Sequence, residues 1–407
     1  VYKRQGSPLA LQVADRSLPR ATLPKRSPLA RLAPVFDPAR LKTHVDWLAA
    51  PAREGRGVGT KGLEQSAAYI AVAFEKAGLK PGGTDGTYVQ NFDVAEGPDG
   101  KPVTLSNIVG VLPGTDPKLA PHSVVLGAHY DHLGSGWPDA RKGNEGKIHP
   151  GADDNASGVA VLLELAELLG RTLKPKRSIV FVAFSGEEAG RLGSKHYAAS
   201  VKAPATKPFA MINLDSVGRL GPRKLLVLGA ESASEWRHIA MGVGFTTGVE
   251  SEAVTDSPAG SDHVSFHEIG VPAIQILSGL HADYHAPSDT ADKIDVDGLV
   301  KAATFVRESA VYLSERDRPL TSSLGDGSTG QKPAKKATKG RRVSLGTMPD
   351  FAYRGDGVRV GGVMPGSAAQ AAGLKKGDVL LSIDGQALEG LRGFQNVLMG
   401  KAPGDVV

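Results

Sequence analysis

The feature that most limits the fold of this chain is the alternation of apolar, β-branched runs with helical patterns. The runs that predict strands are 123–127, 178–184, 209–214, 224–228 and 273–277. The helical patterns are 37–48, 62–77, 157–169, 232–241 and 296–313. Such alternation predicts an α/β domain with three αβα layers around a mixed, mostly parallel sheet. In this architecture a binding site lies beyond the carboxyl ends of the strands.

The length of 407 residues predicts more than one domain, because a single core seldom grows beyond about 300 residues. We expect a flexible leader at 1–36, the α/β domain at 37–315, a basic flexible linker at 316–342 and a small β-rich unit at 343–407. The leader and the linker contain little that could be buried in a core.

The net charge of +5 comes from the expected linker rather than from a binding surface. The basic cluster of that linker consists of Lys335, Lys336, Lys339, Arg341 and Arg342. Aromatic residues do not interleave with the cluster, so a solvated linker is favoured over a nucleic-acid groove. We therefore expect no nucleic-acid partner.

The sequence contains no cysteine, which excludes thiolate zinc sites, cysteine nucleophiles and disulfide bonds. Any metal ion must therefore be bound by His, Asp or Glu. The sequence has no apolar run of about 18 residues, so a transmembrane segment is not expected. It begins without methionine, and we expect an exported protein, periplasmic or secreted, whose signal peptide is not visible here.

Side chains that can bind metal ions follow the predicted strands. His129 and Asp131 come directly after the strand 123–127. An imidazole in this position can bind a metal ion through one nitrogen while a carboxylate orients the ring through the other. We therefore expect Asp131 to orient His129.

Carboxylates also occur at a helix start and at a second strand end. The turn 151–158 contains Asp153 and Asp154 and opens a helix. The alternative to metal binding is that these side chains only cap the helix. Glu187 and Glu188 follow the strand 178–184. Two adjacent Glu residues at a strand end can have different roles. One can bind a metal ion while the other accepts a proton from water.

Two further ligand-type residues complete the set. Asp215 follows the strand 209–214, where it could equally cap a turn, and His285 lies in the polar loop after the last strand. Two imidazoles and three carboxylates without a thiolate favour a catalytic metal over a structural one. They supply enough ligands for two ions if one carboxylate bridges them, and no serine nucleophile is then required.

The order of these motifs resembles that of the zinc exopeptidases, a family that includes bacterial leucyl aminopeptidase, aminopeptidase Y, glutamate carboxypeptidase and glutaminyl cyclase. The likeness covers about residues 37–314. The motifs that carry it are His129-Tyr130-Asp131, Gly151-Ala152-Asp153-Asp154, Glu187-Glu188, Asn213-Leu214-Asp215 and His285-Ala286-Pro287-Ser288-Asp289-Thr290. Each motif alone is weak, whereas their common order is specific.

The resemblance implies two Zn²⁺ per chain, with Asp154 as the ligand that bridges them. Glu188 and His285 would complete one zinc site. His129 and Asp215 would complete the other.

The resemblance also implies the catalytic roles. Glu187 would act as general base and then as general acid, and Asp131 would support His129. The implied function is that of a metal-dependent exopeptidase, most simply an aminopeptidase that removes N-terminal residues from peptide substrates.

Two departures from the family pattern bear on the site. Relatives often carry a tyrosine shortly before the Ser-Asp-His segment, where this sequence has 256–260, so the residue that steadies the oxyanion is left open. Many relatives insert a protease-associated domain, whereas here only 95–105 separates the N-terminal helices from the sheet. We therefore expect a compact catalytic domain with an open cleft.

The remaining histidines are expected to have structural or surface roles. Three of them lie in or near the motifs and could line the cleft, namely His132, His263 and His267. The others are His44, His122, His149, His196, His238 and His281.

The C-terminal unit resembles a bacterial PDZ domain. The likeness rests on residues 361–369 and 372–380, above all on Gly-Leu-x-x-Gly-Asp before an apolar strand. Short strands are expected at 358–363 and 379–383, and a short helix at 367–372. The sequence ends before the expected closing strand, so we expect this unit to be incomplete and marginally stable.

A PDZ domain binds an extended peptide as an added strand and often captures its C-terminal carboxylate in a loop. Leu345-Gly346 is assigned to that loop. A peptide C-terminus is therefore a second expected partner.

Three alternatives remain open. A carboxypeptidase of the same fold would use the same ligands, because the metal ligands do not determine which terminus of the peptide is bound. A glutaminyl cyclase-type acyltransferase would work with a single zinc. From a different class, the chain could be an inactive peptide-binding scaffold that uses its PDZ-like unit.

Overall fold

The computed structural model describes residues 35–141, 143–254, 260–324, 343–351, 353, 355–402 and 404–407. The expected leader, apart from its last two residues, and the basic cluster of the expected linker lie outside the described residues. Residues 256–259, at the position where relatives often carry a tyrosine, also lie outside them. Each described helix is too short or too polar to cross a lipid bilayer.

Within the described chain, nine strands form one mixed sheet. They are β1 (Lys80–Pro81), β2 (Val89–Val94), β3 (Val103–Leu112), β4 (Val124–His129), β5 (Ile179–Phe184), β6 (Ala210–Leu214), β7 (Leu225–Leu228), β8 (Ser251–Ala253) and β9 (Ala273–Leu277). Their order is β1-β3-β5-β4-β6-β9-β7-β8, and β2 also pairs with β3. The central strands β5, β4, β6 and β9 are parallel, while β3 and β7 join them in antiparallel pairs.

Helices cover both faces of this sheet. They are α1 (Pro38–Leu48), α2 (Lys61–Lys76), α3 (Gly158–Thr172), α4 (Leu192–Ser200), α5 (Trp236–Thr247), α6 (His263–His267) and α7 (Val296–Glu315). The large core lies between one face and α1, α2, α3, α5 and α7, and a smaller core lies under α4 and α6. This arrangement confirms the predicted three-layer α/β fold.

The side chains of β4 show how the sheet separates the two cores. Val124, Leu126 and Ala128 pack in the large core, whereas Val125 packs in the smaller one. Successive side chains of a strand point to opposite faces, so a strand covered on both sides reads as a continuous apolar run. This is the pattern from which the strand was predicted.

Local signals fix the starts of three helices. The side chains of Asp37, Thr60 and Asp295 accept backbone N–H groups in the first turns of α1, α2 and α7. Such caps satisfy donors that have no partner within the helix. The predicted helix at 37–48 is therefore found within one residue of its expected bounds.

The N-terminal part of the sheet differs from the prediction. The prediction placed only a connection at 95–105, but the structure has the strands β1, β2 and β3 between α2 and β4. β2 and β3 form an antiparallel pair at the edge, with one partly exposed face. Edge strands with polar and apolar residues do not give the continuous apolar run used to find the central strands. The helix expected at 232–241 was also misplaced, since α5 spans Trp236–Thr247.

The C-terminal unit is built from short elements. They are β10 (Thr347–Pro349), β11 (Val358–Val363), α8 (Ala368–Ala371), β12 (Val379–Leu380), β13 (Ser382–Ile383), β14 (Gln386–Ala387) and α9 (Gly390–Met399). β10, β11 and β12 form one small sheet, and β13 pairs with β14. The strand expected at 379–383 is therefore interrupted, and α9 was not predicted. Phe351 packs against an apolar cluster of the large sheet formed by Leu228, Val254 and Leu277.

Candidate metal centre

The carboxyl ends of the four parallel strands meet at one edge of the sheet, and the predicted ligands gather there. His129 is the last residue of β4, and Asp215 directly follows β6. The Nε2 atom of His129 lies 3.3 Å from Oδ1 of Asp154 and 3.7 Å from Oδ1 of Asp215. These three side chains are close enough to hold one metal ion.

A second group of donors lies on the other side of Asp154. The Nε2 atom of His285 is 3.1 Å from Oδ2 of Asp154 and 3.3 Å from Oε2 of Glu188. The two carboxylate oxygens of Asp154 therefore face different imidazoles. His285 has a φ of 53°, which is unusual for a residue other than glycine and is found most often where function requires it.

The donor spacing fits zinc. Zinc bonds of about 2.0–2.1 Å to nitrogen and oxygen in a tetrahedral site place two ligand atoms about 3.3 Å apart. The distances of 3.1 Å and 3.3 Å around His285 and of 3.3 Å between His129 and Asp154 match this spacing, whereas the 3.7 Å between His129 and Asp215 is wider. Oδ1 of Asp154 is buried without a hydrogen bond from any described residue, as expected of an atom whose partner is a cation.

Asp289 positions the segment that carries Asp153 and Asp154. It is buried, and one of its oxygens accepts the backbone N–H groups of Asp153 and Asp154 at 2.9 and 3.1 Å. The carboxylate of Asp153 accepts the N–H of Gly218 at 2.6 Å and lies 3.0 Å from Nε2 of His281. Asp153 therefore binds protein groups and leaves Asp154 to face the donors of the site.

The carboxylate of Asp131 binds the turn that carries Glu187 and Glu188, whereas the sequence predicts that it orients His129. Its two oxygens accept the backbone N–H groups of Glu187 and Glu188 at 3.1 and 3.3 Å. Nδ1 of His129 lies 3.2 Å from the carbonyl oxygen of Asp131 and 3.8 Å from its carboxylate. Asp131 thus fixes the turn that carries both Glu residues and contacts His129 mainly through its backbone.

The charges of the site depend on one another. Burial alone would lower the pKa of His285, but Glu188 and Asp154 raise the pKa to about 9. The contacts with Asp154 and Asp215 likewise outweigh burial and raise the pKa of His129 well above its usual value. Burial opposes ionisation of Asp154, but its contacts with the two imidazoles hold the pKa of the carboxyl well below its usual value. Metal ions and protons therefore compete for these imidazoles.

Glu187 is half-buried beside the ligands. Burial raises the pKa of its carboxyl well above the usual value; His129 opposes this shift, and the nearby carboxylate of Asp262 adds to it. Asp262 is fully buried at the start of α6. Bound cations would favour the ionised form of Glu187 and so prepare it as a base.

Arg56 supports the loops around the site, a role that the sequence does not reveal. Its guanidinium is completely buried and donates four hydrogen bonds, each of 2.8 Å, to backbone carbonyls. The acceptors are the carbonyls of Leu48, Tyr130, Pro150 and Gly151. Burial lowers the pKa of Arg56 to about 10, against the opposing effect of nearby carboxylates, first among them Asp154.

Tyr284 is a second residue that the sequence did not single out. Its ring stacks on the imidazole of His285, with ring centroids 4.0 Å apart. Burial raises the pKa of its hydroxyl well above the usual value, and four carboxylates of the site add to the shift. Those carboxylates are Asp154, Glu188, Asp215 and Glu187. The Tyr284 hydroxyl therefore stays protonated, and its ring lies against the candidate ligand His285.

The other histidines of the motifs lie in two places. His263 and His267 are in α6, and their rings contact each other edge to face at 5.3 Å. His267 contacts the carbonyl oxygen of Ala273 at 2.8 Å. His132 instead reaches the metal centre, where its Nδ1 lies 2.7 Å from Oε1 of Glu188.

Comparison with protein families gives two matches. Residues 107–310, which are half of the chain, match the model of peptidase family M28. Residues 331–407 match the PDZ domain. The first match contains all the predicted metal ligands together with Glu187 and Asp131.

Characterised and uncharacterised proteins are similar to this chain. Aminopeptidase YwaD of Bacillus subtilis is 31% identical over 234 residues, which are 54% of this chain and 47% of that protein. A probable zinc metalloprotease of Pyrenophora tritici-repentis is 45% identical over 118 residues, 29% of this chain and 25% of that protein. The uncharacterised protein YfbL of Escherichia coli is 27% identical over 65% of this chain and 86% of its own. The chain thus spans half or less of the first two relatives.

Solved structures show the same fold. A zinc aminopeptidase from Bacillus subtilis aligns with a TM-score of 0.58 and 18% identity, over 73% of this chain and 100% of that one. A glutaminyl cyclase from Bacteroides thetaiotaomicron aligns with a TM-score of 0.56 and 23% identity, over 69% and 99% of the two chains. At these identities the likeness concerns the fold. From the match over half of its length, the chain belongs to peptidase family M28, and it carries a PDZ domain at its C-terminal end.

Proposed function

We propose that this protein is a zinc-dependent aminopeptidase that hydrolyses N-terminal residues from peptides. The observation that carries the proposal is the position of Asp154, whose Oδ1 faces His129 beside Asp215 and whose Oδ2 faces His285 beside Glu188. This is the arrangement that a pair of ions sharing one carboxylate requires. Similar proteins named aminopeptidase support the assignment.

The residues would hold two zinc ions as the family resemblance implies. His129 and Asp215 would hold one, His285 and Glu188 would hold the other, and Asp154 would be shared between them. When bound, the ions supply positive charge that polarises the scissile carbonyl and makes the attacking water more acidic.

Glu187 moves the proton. Its carboxylate takes a proton from the attacking water as the water oxygen bonds to the carbonyl carbon. Glu187 then gives this proton to the nitrogen of the leaving amine as the C–N bond breaks. Asp131 holds the backbone N–H of Glu187 at 3.1 Å and thereby fixes the turn from which this side chain acts.

The ligands themselves do not choose between an amino and a carboxyl terminus, because bound zinc ions would offset the charges of Glu188 and Asp215. The proposal of an aminopeptidase rests on the similar protein that carries this name. Assays with free and N-blocked peptides separate it from the carboxypeptidase alternative.

We assign Tyr284 as the donor that steadies the oxyanion, since its ring stacks on His285 and its hydroxyl stays protonated under the influence of the site carboxylates. Removal of one such donor typically lowers kcat by about 10²–10³-fold. Because the ions share this task, we expect Tyr284→Phe to lower kcat by about 10²-fold and to leave KM and zinc content unchanged. Steady-state kinetics test this, with Tyr312→Phe as an exposed control. Unchanged kcat would remove the assignment.

The C-terminal unit is a second candidate for peptide binding. β10 lies at the edge of the small sheet of the described residues and could accept a peptide as an added strand. Binding of a peptide with a free C-terminus, compared with its amidated form, tests this role. We also propose, from the sequence alone, that the protein is exported.

The proposed activity is tested by measuring metal content and hydrolysis on one preparation before and after chelation. We expect two zinc ions per chain and release of N-terminal residues from aminoacyl anilides. Removal of the metal should abolish turnover, because the carbonyl and the water lose their activating charge. Zinc should restore it, and N-blocked peptides should remain intact.

The same measurement separates the alternatives. One zinc per chain with pyroglutamate formation would indicate a glutaminyl cyclase-type acyltransferase. Cleavage of N-blocked peptides from their C-terminus would indicate a carboxypeptidase. Two bound zinc ions without any hydrolysis would indicate a peptide-binding scaffold and would contradict the proposal.

A further inference from the structure

His132 is a third imidazole at the metal centre. It directly follows Asp131 in the loop after β4, and its side chain is fully buried. Nδ1 of His132 lies 2.7 Å from Oε1 of Glu188 and 3.9 Å from Oδ1 of Asp154. These three residues are close enough to form a metal-binding group of their own, so His132 could be a ligand or a hydrogen-bond donor.

The distances favour a donor. Two ligands of one tetrahedral zinc lie about 3.3 Å apart, whereas an N–H···O hydrogen bond to a charged acceptor spans about 2.7–2.9 Å. The 2.7 Å between His132 and Glu188 fits the hydrogen bond, and the 3.3 Å between His285 and Glu188 fits shared coordination. Glu188 thus presents Oε1 to His132 and Oε2 to His285.

The other nitrogen of the ring supports the same choice. An imidazole that binds a metal ion normally donates its second N–H to an acceptor. Nε2 of His132 is buried and has no hydrogen-bond partner among the described residues. With the proton on Nδ1, Nε2 carries only a lone pair, and no N–H is left without an acceptor.

The protein holds this ring in place from several sides. The backbone N–H of His132 donates to the carbonyl of Arg56 at 3.1 Å, and its ring meets that of His285 edge to face at 5.7 Å. Gly151 lies against the ring with a φ of 57°, and a Cβ added there would come within 2.5 Å of a ring carbon. Glycine is therefore required for the ring to occupy this position.

We propose that His132 is a positioning residue that donates its Nδ1–H to Oε1 of Glu188, so that Glu188 binds the second ion through Oε2 alone. The proposal rests on the two-ion site of the proposed function. The hydrogen bond from His132 would keep Glu188 from binding the ion through both oxygens. A coordination position would then stay open for water or substrate. Hydrogen bonds to ligating carboxylates fix their orientation in this way.

The stepwise zinc affinities of the whole chain test the proposal by competition with a chelator. Loss of such a partner typically weakens metal affinity by about 10–100-fold. We expect His132→Ala to weaken the affinity for the second ion, the one assigned to His285 and Glu188, by that factor. The affinity for the first ion, assigned to His129 and Asp215, should stay within about threefold of the wild type. His132→Asn, whose amide nitrogen can replace Nδ1–H, should keep most of the affinity. The proposal would be overturned if His132→Asn lost as much zinc affinity as His132→Ala. It would also be overturned if His132→Ala bound the second ion as tightly as the wild type.

A second readout is independent of the number of ions. In long-range ¹H–¹⁵N spectra of the zinc-loaded protein, His132 should show a protonated Nδ1 and an Nε2 without metal. A metal-bound Nδ1 would overturn the proposal. A wild-type protein that binds one zinc only would instead contradict the two-ion mechanism, while the state of Nδ1 would still decide the role of His132. Thermal unfolding of the metal-free variants shows whether they remain folded.

Discussion

Replacing Glu187 with glutamine is expected to lower kcat by about 10²–10⁴-fold while both zinc ions stay bound. General acid–base catalysis by a positioned side chain contributes an effect of this size. The change removes the group that takes the proton from water but keeps the shape of the side chain. Glu187 is not one of the donors facing Asp154, so metal content should not change. Steady-state kinetics and zinc analysis of the same sample measure both quantities.

The control is Glu64→Gln, which makes the same chemical change at an exposed position of α2. It should leave both kcat and zinc content as in the wild type. Turnover of Glu187→Gln within a few-fold of the wild type would show that another group is the base. Loss of zinc together with activity would show that Glu187 is a ligand instead.

The parallel centre of the sheet explains why residues far apart in the sequence could be predicted to gather at one edge. Each central strand is buried on both faces and gives a recognisable apolar run, and the carboxyl ends of parallel strands meet at one edge. His129 and Asp215 follow two such strands, as do Glu187 and Glu188. In the structure His129, Asp215 and Glu188 lie close to Asp154.

The residues that support the ligands could not be found in this way. Asp289 accepts two N–H groups of the segment that carries Asp153 and Asp154 from 135 or more positions away in the sequence. His132 was given a structural or surface role, since an imidazole in a loop has no pattern that distinguishes a hydrogen bond to Glu188 from a hydrogen bond elsewhere. Contacts of this kind depend on side-chain packing, which periodicity and strand ends do not encode.

Arg56 shows the same limit most clearly. It lies in a glycine-rich turn between α1 and α2, where an arginine is usually exposed. Here it has a φ of 50° and no exposed surface. Only the finished fold brings the carbonyls of residues 48, 130, 150 and 151 around one guanidinium.

Replacing Arg56 with methionine is accordingly expected to destabilise the protein by about 3–5 kcal/mol, the cost of breaking a buried charged network. Four buried carbonyls would lose their donors, and each unsatisfied group costs about 1–3 kcal/mol before the structure relaxes. Urea unfolding of the metal-free protein measures the change. Arg171→Met is the control, because Arg171 is exposed and pairs with Glu167. Its replacement should cost less than about 1 kcal/mol.

The consequence for zinc binding separates Arg56 from an ordinary core residue. Its guanidinium joins the carbonyl of Tyr130, between His129 and Asp131, to that of Gly151, which precedes Asp154. The Arg56 guanidinium thus fixes two segments that carry proposed ligands, namely His129 and Asp154. Arg56→Lys keeps the charge but has only three donors and no planar fork, so it should recover part of the stability and little of the zinc affinity. Zinc affinity equal to that of the wild type in Arg56→Lys would show that the guanidinium stabilises the fold without positioning the ligands.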